Sequence, residues 1–206
     1  MVIFVNSSDP KFVIYLGKDK YENENLIKYG FPIDVWFHVE GFSSAHVYLR
    51  LPDGITIDNI PSNILEECCQ IVRDSSKEGR KQESVKICYT KWENLHKRKN
   101  MEIGEIGFKS DKEIHYINNV KKNKELLNKL KKTWVEKEID YEKEKEMYLL
   151  EEKNKKKKEE ELAKKKQLEE IKKNKELQKE KRFEYIDELG NEVTNKDDVD
   201  LEEDFW

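Results

Sequence analysis

Over roughly the first 120 residues, apolar and polar positions alternate with a period of two in several short runs, as in strands with one face buried. "FVIYLG" sends Phe12, Ile14 and Leu16 to one side and Val13 and Tyr15 to the other. "DVWFHV" and "AHVYLRL" alternate likewise, and Gly41 with Ser43 and Ser44 breaks the chain between them, so the pair predicts a hairpin. Its inner face is Val35, Phe37, Val39, Val47, Leu49 and Leu51; its outer face is Asp34, Trp36, His38, His46, Tyr48 and Arg50. "SVKICYT" predicts another strand, and "GEIGF" followed by "EIHYI" a turn and a last one. The period lengthens in two places. "ENENLIKYG" predicts a short helix closed by Gly30, and "PSNILEECCQIVRDSSKEG" a longer one that repeats Ile64, Leu65, Cys68, Cys69 and Val72 at helical spacing. The expected fold class is α+β, with ~115 residues sufficing for one core.

The pattern changes near residue 119. All four prolines lie in the first third, seven of eight glycines precede residue 108, and none of either falls between Gly107 and Gly190. One long helix is therefore expected to begin there. Leu127, Leu130, Trp134, Tyr141 and Tyr148 give it an intermittent seam that docks on the domain or on a partner, but Glu151–Glu161, "EEKNKKKKEEE", has no apolar residue. A coiled coil cannot be sealed through such a stretch, so a monomer is expected. Pairs such as Glu151/Lys155, Glu160/Lys164 and Glu169/Lys173 stand four apart in the favourable order, each worth ~0.2–0.5 kcal/mol. The predicted organisation is a sheet-and-helix domain over 1–118, a long charged helix over 119–188 and a disordered acidic tail over 189–206.

Composition sharpens that division. Charged residues make up 41% of the chain, and the formal net charge of −4 conceals its placement. Residues 1–119 carry 16 basic and 18 acidic side chains, residues 120–182 carry 23 and 16, and the last 24 residues carry one lysine against 10 acids. The chain is thus near neutral, then basic, then acidic. Three cysteines, Cys68, Cys69 and Cys88, do not form a paired framework and suit a reducing compartment. The opening "MVIFVNSSDP" lacks a basic leader region, and no run approaches the ~18 apolar residues of a membrane span. A soluble cytoplasmic protein is expected, with nuclear import through "NKKKK" as the rarer meaning of that run. No phosphate-binding loop, nucleotide fingerprint or nucleophile–base pattern occurs. His38 and His46 lack further ligands at metal spacing, and Cys88 with His38 lacks a nucleophile's turn. No enzyme, cofactor or metal is expected.

The outer hairpin face is where chemistry concentrates. Trp36 and Tyr48 are flat rings, His38 and His46 imidazoles, and Arg50 a guanidinium, the groups that meet an unstacked base or a phosphate. A covering helix would make the aromatic pair ordinary packing, whereas burying His46 and Arg50 requires partners. A second cluster is "GKDKYENEN". Lys18 and Lys20 follow a strand, and Asn23 opens a helix whose free N–H groups suit a phosphate.

Taken together, "GKDKYENENLIKYG", "DVWFHVEGFSSAHVYLR" and "IGEIGF" closely resemble the NFACT-R domain, the RNA-binding module of ribosome quality-control factors of the NFACT family. The family's pieces fall on Gly17–Lys18, Asn23, Asp34–Trp36–Phe37–His38 and Ser44–His46, over about residues 1–118. The family's Gly-Ser-His reads Ser44-Ala45-His46 here. The resemblance implies binding of structured RNA, tRNA or ribosomal RNA on the ribosome, without catalysis. Nascent-chain elongation, which in the family depends on large further parts, is not expected to carry over to this chain. The expected contacts are Lys18, Lys20, Asn23, Asp34, Trp36, His38, Ser44, His46, Tyr48 and Arg50. DNA binding and a protein scaffold working through the helix and tail are the rival readings. Because His46 and Arg50 sit opposite Val47, Leu49 and Leu51, replacing both with alanine is expected to weaken RNA binding and leave melting nearly unchanged.

Overall fold

A computed structural model describes residues 1–194. The chain divides into two compact units, Met1–Tyr148 and Leu149–Trp206. The first is built on strands β1 (Val2–Asn6), β2 (Val13–Gly17), β3 (Asp34–Val39), β4 (Val47–Arg50), β5 (Ser84–Lys91), the short β6 (Leu95–His96) and β7 (Gly107–Phe108), β8 (His115–Lys121) and β9 (Val135–Lys137). Helices α1 (Lys20–Tyr29), α2 (Ser62–Ser75) and α3 (Lys124–Lys131) pack with them, and α4 runs from Tyr141 to Thr194. Seven strands form one antiparallel sheet in the order β8-β5-β3-β4-β2-β1-β9, while β6 and β7 pair separately. The expected hairpin is present in register, with Asp34 opposite Arg50, Trp36 opposite Tyr48 and Phe37 opposite Val47.

The period-two reading holds on the inner face. Ile14, Leu16, Val35, Phe37, Val39, Val47 and Leu49 pack with Ile64, Cys68, Ile71 and Val72 of α2 in one core. The outer face departs from expectation, because it is a core too. Tyr15, Trp36, Tyr48 and Cys88 pack with Leu26 of α1 and Leu95, flanked by Trp92, Ile106, Phe108, Ile139 and Tyr141. The sheet is therefore the middle of three layers. Gly30 does not cap α1 by a left-handed turn, as its φ is −55°. It is glycine because a Cβ there would lie 2.1 Å from Nε1 of Trp92, which donates to the Ile27 carbonyl at 3.0 Å.

The stretch beyond residue 119 also corrects the expectation of one helix. β8 continues to Lys121, Asn123 caps α3 by accepting from the Leu126 N–H, and β9 returns to pair with β1 through Val2–Lys137 and Phe4–Val135. Leu127 and Leu130 are buried, so that part of the seam docks on the domain. α4 begins only at Tyr141, after Asp140 accepts from the Lys143 N–H. Its first two turns bind the domain: Tyr141 stacks on Tyr29, Tyr148 packs on Phe31 with centroids 4.7 Å apart, and Lys145 donates to the Gly30 carbonyl at 2.5 Å. From Leu149 the apolar side chains that are described, such as Leu150, Leu162, Leu168, Ile171 and Leu177, are exposed. Among the described residues no helix is long and apolar enough to cross a membrane. α4 continues to Thr194; the disordered tail expected from 189 otherwise lies outside the described residues.

Candidate nucleic-acid interface

Burial removes several outer-face side chains from any direct contact. Trp36 is 1% exposed and Tyr48 0%, with Phe108 edge-on to the indole at 5.5 Å and Tyr15 stacked on Tyr48 at 5.2 Å. Helix α1 and the 92–114 segment cover them, which strand alternation by itself does not reveal. Asp34 is fully buried and is a structural carboxylate: it accepts from Tyr15 Oη at 2.5 Å, the Phe31 N–H at 3.1 Å and Arg50 Nε at 3.0 Å. Arg50 lies over the Phe31 ring at 4.1 Å. Half-buried beside Asp34, with 29% of its side chain exposed, its guanidinium stays charged, and the Tyr15 hydroxyl is pushed well up by burial and by that carboxylate. The sequence-based view of Arg50 as a solvent-facing phosphate ligand is thus replaced by an ion pair with a buried acid.

His46, expected to point outward, is 5% exposed. Its Nδ1 meets Asn23 Nδ2 at 3.0 Å, Asn23 Oδ1 accepts from Tyr48 Oη at 2.9 Å, and the ring also bonds the Gly104 backbone. Asn23 Nδ2 can only donate, so Nδ1 is the ring's acceptor and the imidazole is neutral. Burial first, then the neighbouring His38, lowers its pKa to about 3. His38 stacks flat on Trp36, its centroid 5.2 Å from that of His46, and burial lowers its pKa as well. Ser44 Oγ accepts from the Val39 N–H at 3.1 Å and ties the hairpin loop to its own strand.

The two sequence clusters nevertheless meet. Gly17, Lys18, Lys20 and Asn23 from the β2–α1 turn, Ser44 and His46 from the hairpin, and Gly104 line one cleft of about 330 Å³. His46 and Asn23 form its polar floor, and lysines stand at its mouth. Gly17 is required for this approach, since a Cβ there would lie 2.9 Å from the Asn23 backbone nitrogen. The start of α1 is not the open phosphate cradle expected. Asp19 caps it, its Oδ1 accepting from the Tyr21 and Glu22 N–H groups at 2.9 Å each. A carboxylate already occupies the positive end of the helix, so anion attraction rests on the lysines. Lys18 Nζ pairs with Glu136 of β9 at 2.7 Å, and Lys20 lies 5.4 Å from the Tyr21 ring centroid.

Four contributors escaped sequence reasoning. Glu24 holds the far wall, accepting from Lys97 Nζ and the Gly104 N–H at 2.8 Å each. Lys97 also donates to the carbonyls of Glu102 and Glu105, and Gly104 adopts φ +89° to make that turn. The "IGEIGF" string carried the signal, but only as a motif without a role. Glu136 had no signal, because its strand exists only through pairing with β1. Cys88 donates to the His38 carbonyl rather than its ring, and burial pushes its thiol up to about 12, the opposite of an activated nucleophile. Among the described residues no group of three or more His, Cys, Asp or Glu side chains is placed to hold a metal ion.

Comparison with known proteins gives the family. Residues 1–110 match the family model described as NFACT protein RNA binding domain. The chain is 50% identical over 140 residues to Coiled-coil domain-containing protein 25 homolog of Dictyostelium discoideum, covering 68% of each chain. It is 49% identical over 156 residues to Coiled-coil domain-containing protein 25 of Danio rerio, covering 75% of each. Among solved structures, the C-terminal part of the fibronectin/fibrinogen-binding protein from Streptococcus suis shares the fold, with a TM-score of 0.52 at 18% identity over 64% of this chain and 48% of that one. The family model over residues 1–110, with relatives about 50% identical over two thirds or more of both chains, places this chain in the NFACT RNA-binding domain family.

Proposed function

We propose that this protein is a non-enzymatic, cytoplasmic RNA-binding adaptor that engages tRNA or ribosomal RNA on the ribosome, through the cleft floored by Asn23 and His46. The observation that carries the reading is the convergence of Gly17, Lys18, Lys20, Asn23, Ser44 and His46, from distant parts of the chain, on that one cleft. Its volume lies at the low end of the ~300–1,000 Å³ typical of ligand clefts, which suits one splayed nucleotide rather than a duplex groove. Lys20, and Lys18 on exchanging Glu136 for the phosphate, supply the positive charge. The neutral imidazole and the Asn23 amide hold the shape and polarity of the floor. Asp34, Trp36, Tyr48 and Arg50 act beneath it, by fixing the sheet that positions the cleft.

Crosslinking in cells, followed by sequencing of the bound RNA, tests the reading. Recovery of tRNA or ribosomal RNA from the native chain and its loss from Lys18→Glu/Lys20→Glu supports it. DNA of the same sequence bound as tightly as RNA would move the reading to DNA. The near-neutral charge of residues 1–119, 16 basic against 18 acidic, favours a protein scaffold as the second reading. Recovery of protein partners with no RNA would establish it.

A further inference from the structure

The two edges of the seven-stranded sheet differ. β9 is three residues long and carries Glu136 and Lys137, a short charged edge that discourages further pairing. β8 is seven residues long and has no proline, and among the described residues it pairs with β5 alone, which leaves its other side without a strand partner there. A bulge opposite Val85–Ile87 interrupts its regular ladder, with Asn119 at φ +58°. Beside this edge lies a groove of about 810 Å³, between α2 and the chain from Ile117 to Glu125. Leu65 and Cys69 of α2, with Ile117 and Val120 of β8, give it an apolar floor. Lys121, Lys122 and Lys124 stand exposed at one end. The nearby Glu66 is already engaged by Asn123 Nδ2 at 2.9 Å, and Gln70 by the Lys121 carbonyl and the Asn123 N–H.

An open strand edge beside an apolar groove is the arrangement by which an extended peptide adds to a sheet, main chain to main chain, with alternate side chains entering the groove. The charge at the end of the edge selects which peptide. We propose that β8 and its groove bind an extended acidic segment of a partner protein. One apolar side chain seats over Leu65, Cys69 and Ile117, and Asp or Glu residues lie against Lys121, Lys122 and Lys124. This surface is formed by elements remote in sequence from the lysine-mouthed cleft and takes a different class of ligand. It gives an RNA-bound adaptor a second, protein-directed contact.

Panning a library of linear dodecapeptides against the full chain tests it, followed by titration of a synthetic copy of the most enriched peptide. The expected result is enrichment of acidic residues around one large apolar residue, with exchange protection of the β8 amides on binding. Lys121→Glu/Lys122→Glu changes exposed side chains only and should weaken that peptide at least tenfold with melting unchanged. Ile117→Lys should abolish binding by filling the groove. No enrichment, enrichment of basic peptides, or affinity unmoved by the charge reversal overturns the proposal. So does protection of the same amides by a single-stranded RNA and not by the peptide, which would assign the groove to nucleic acid.

Discussion

Arg50 and His46 illustrate how a side chain typical of a binding face can instead hold a fold together. Arg50→Ala leaves the buried Asp34 carboxylate without its cation, although Tyr15 and the Phe31 N–H still donate to it. Breaking such a pair from one side costs ~3–5 kcal/mol, so the variant should melt markedly early. Asp34→Asn/Arg50→Met, which removes both charges, should recover much of that loss in urea titration. The double alanine at His46 and Arg50 therefore reports on stability first, against the sequence-based expectation. His46 also gives a pH signature. Its folded pKa of about 3 lies below the ~6.5 of an unfolded histidine, so between those values only the unfolded chain takes the proton. Its contribution is fully present above about pH 6.5 and is lost as pH falls, by roughly 2–3 kcal/mol at pH 4.5. His46→Gln should flatten the slope of unfolding free energy against pH in that window; an unchanged slope would contradict a neutral buried ring. Phe37→Ala, at the centre of the inner face, should cost ~3–5 kcal/mol whatever ligand is present.

At the scale of elements, the stretch from 119 to 148 is the main revision. Sequence periodicity reads it as the start of one helix, because Leu127, Leu130 and Trp134 stand at helical spacing without glycine or proline. The chain uses it as the end of β8, α3, β9 and the docked first turns of α4. A chain ending after Val120 loses the buried Leu127 and Leu130 and the β9 pairing to β1, and should fail to give a cooperative melt. One ending after Tyr148 keeps all of these and should unfold cooperatively. Circular dichroism melts of the two truncations decide between the readings. If both behave alike, the docking of this segment contributes little.

At the scale of the molecule, charge is the property to test. Residues 149–182 carry 14 basic and 9 acidic side chains. If they add non-specific phosphate contacts, the chain ending at Tyr148 should bind RNA more weakly, with a smaller fall of log affinity per unit log salt. Equal slopes would make those lysines a solvated face. Removing residues 195–206, with one lysine against six acids, should act in the opposite direction. The apolar residues of α4 at Leu162, Leu168, Ile171 and Leu177 are spaced six, three and six apart, which does not sustain a heptad seam. Light scattering at micromolar concentration should accordingly give the mass of one chain.

What the sequence by itself determined is local and periodic. Alternation along β2, β3 and β4 gave the strands, their two faces and the inner core, because a buried face imposes its period on the residues that build it. The motif pieces around Gly17–Lys18, Asn23 and Ser44–His46 supplied residues of the cleft, and tertiary structure brought the two clusters together. Alternation separates two faces of a strand without telling whether the second meets water or protein. Only tertiary structure decided that, by laying α1, the 92–114 segment and the start of α4 over Trp36 and Tyr48. The same holds for β1 and β9. "VIFV" is apolar without alternation because it is covered on both faces, and "VEK" is a strand only because β1 lies beside it, more than 120 residues away in the chain. Long-range pairing and coverage are properties of the assembled core, and no local pattern encodes them.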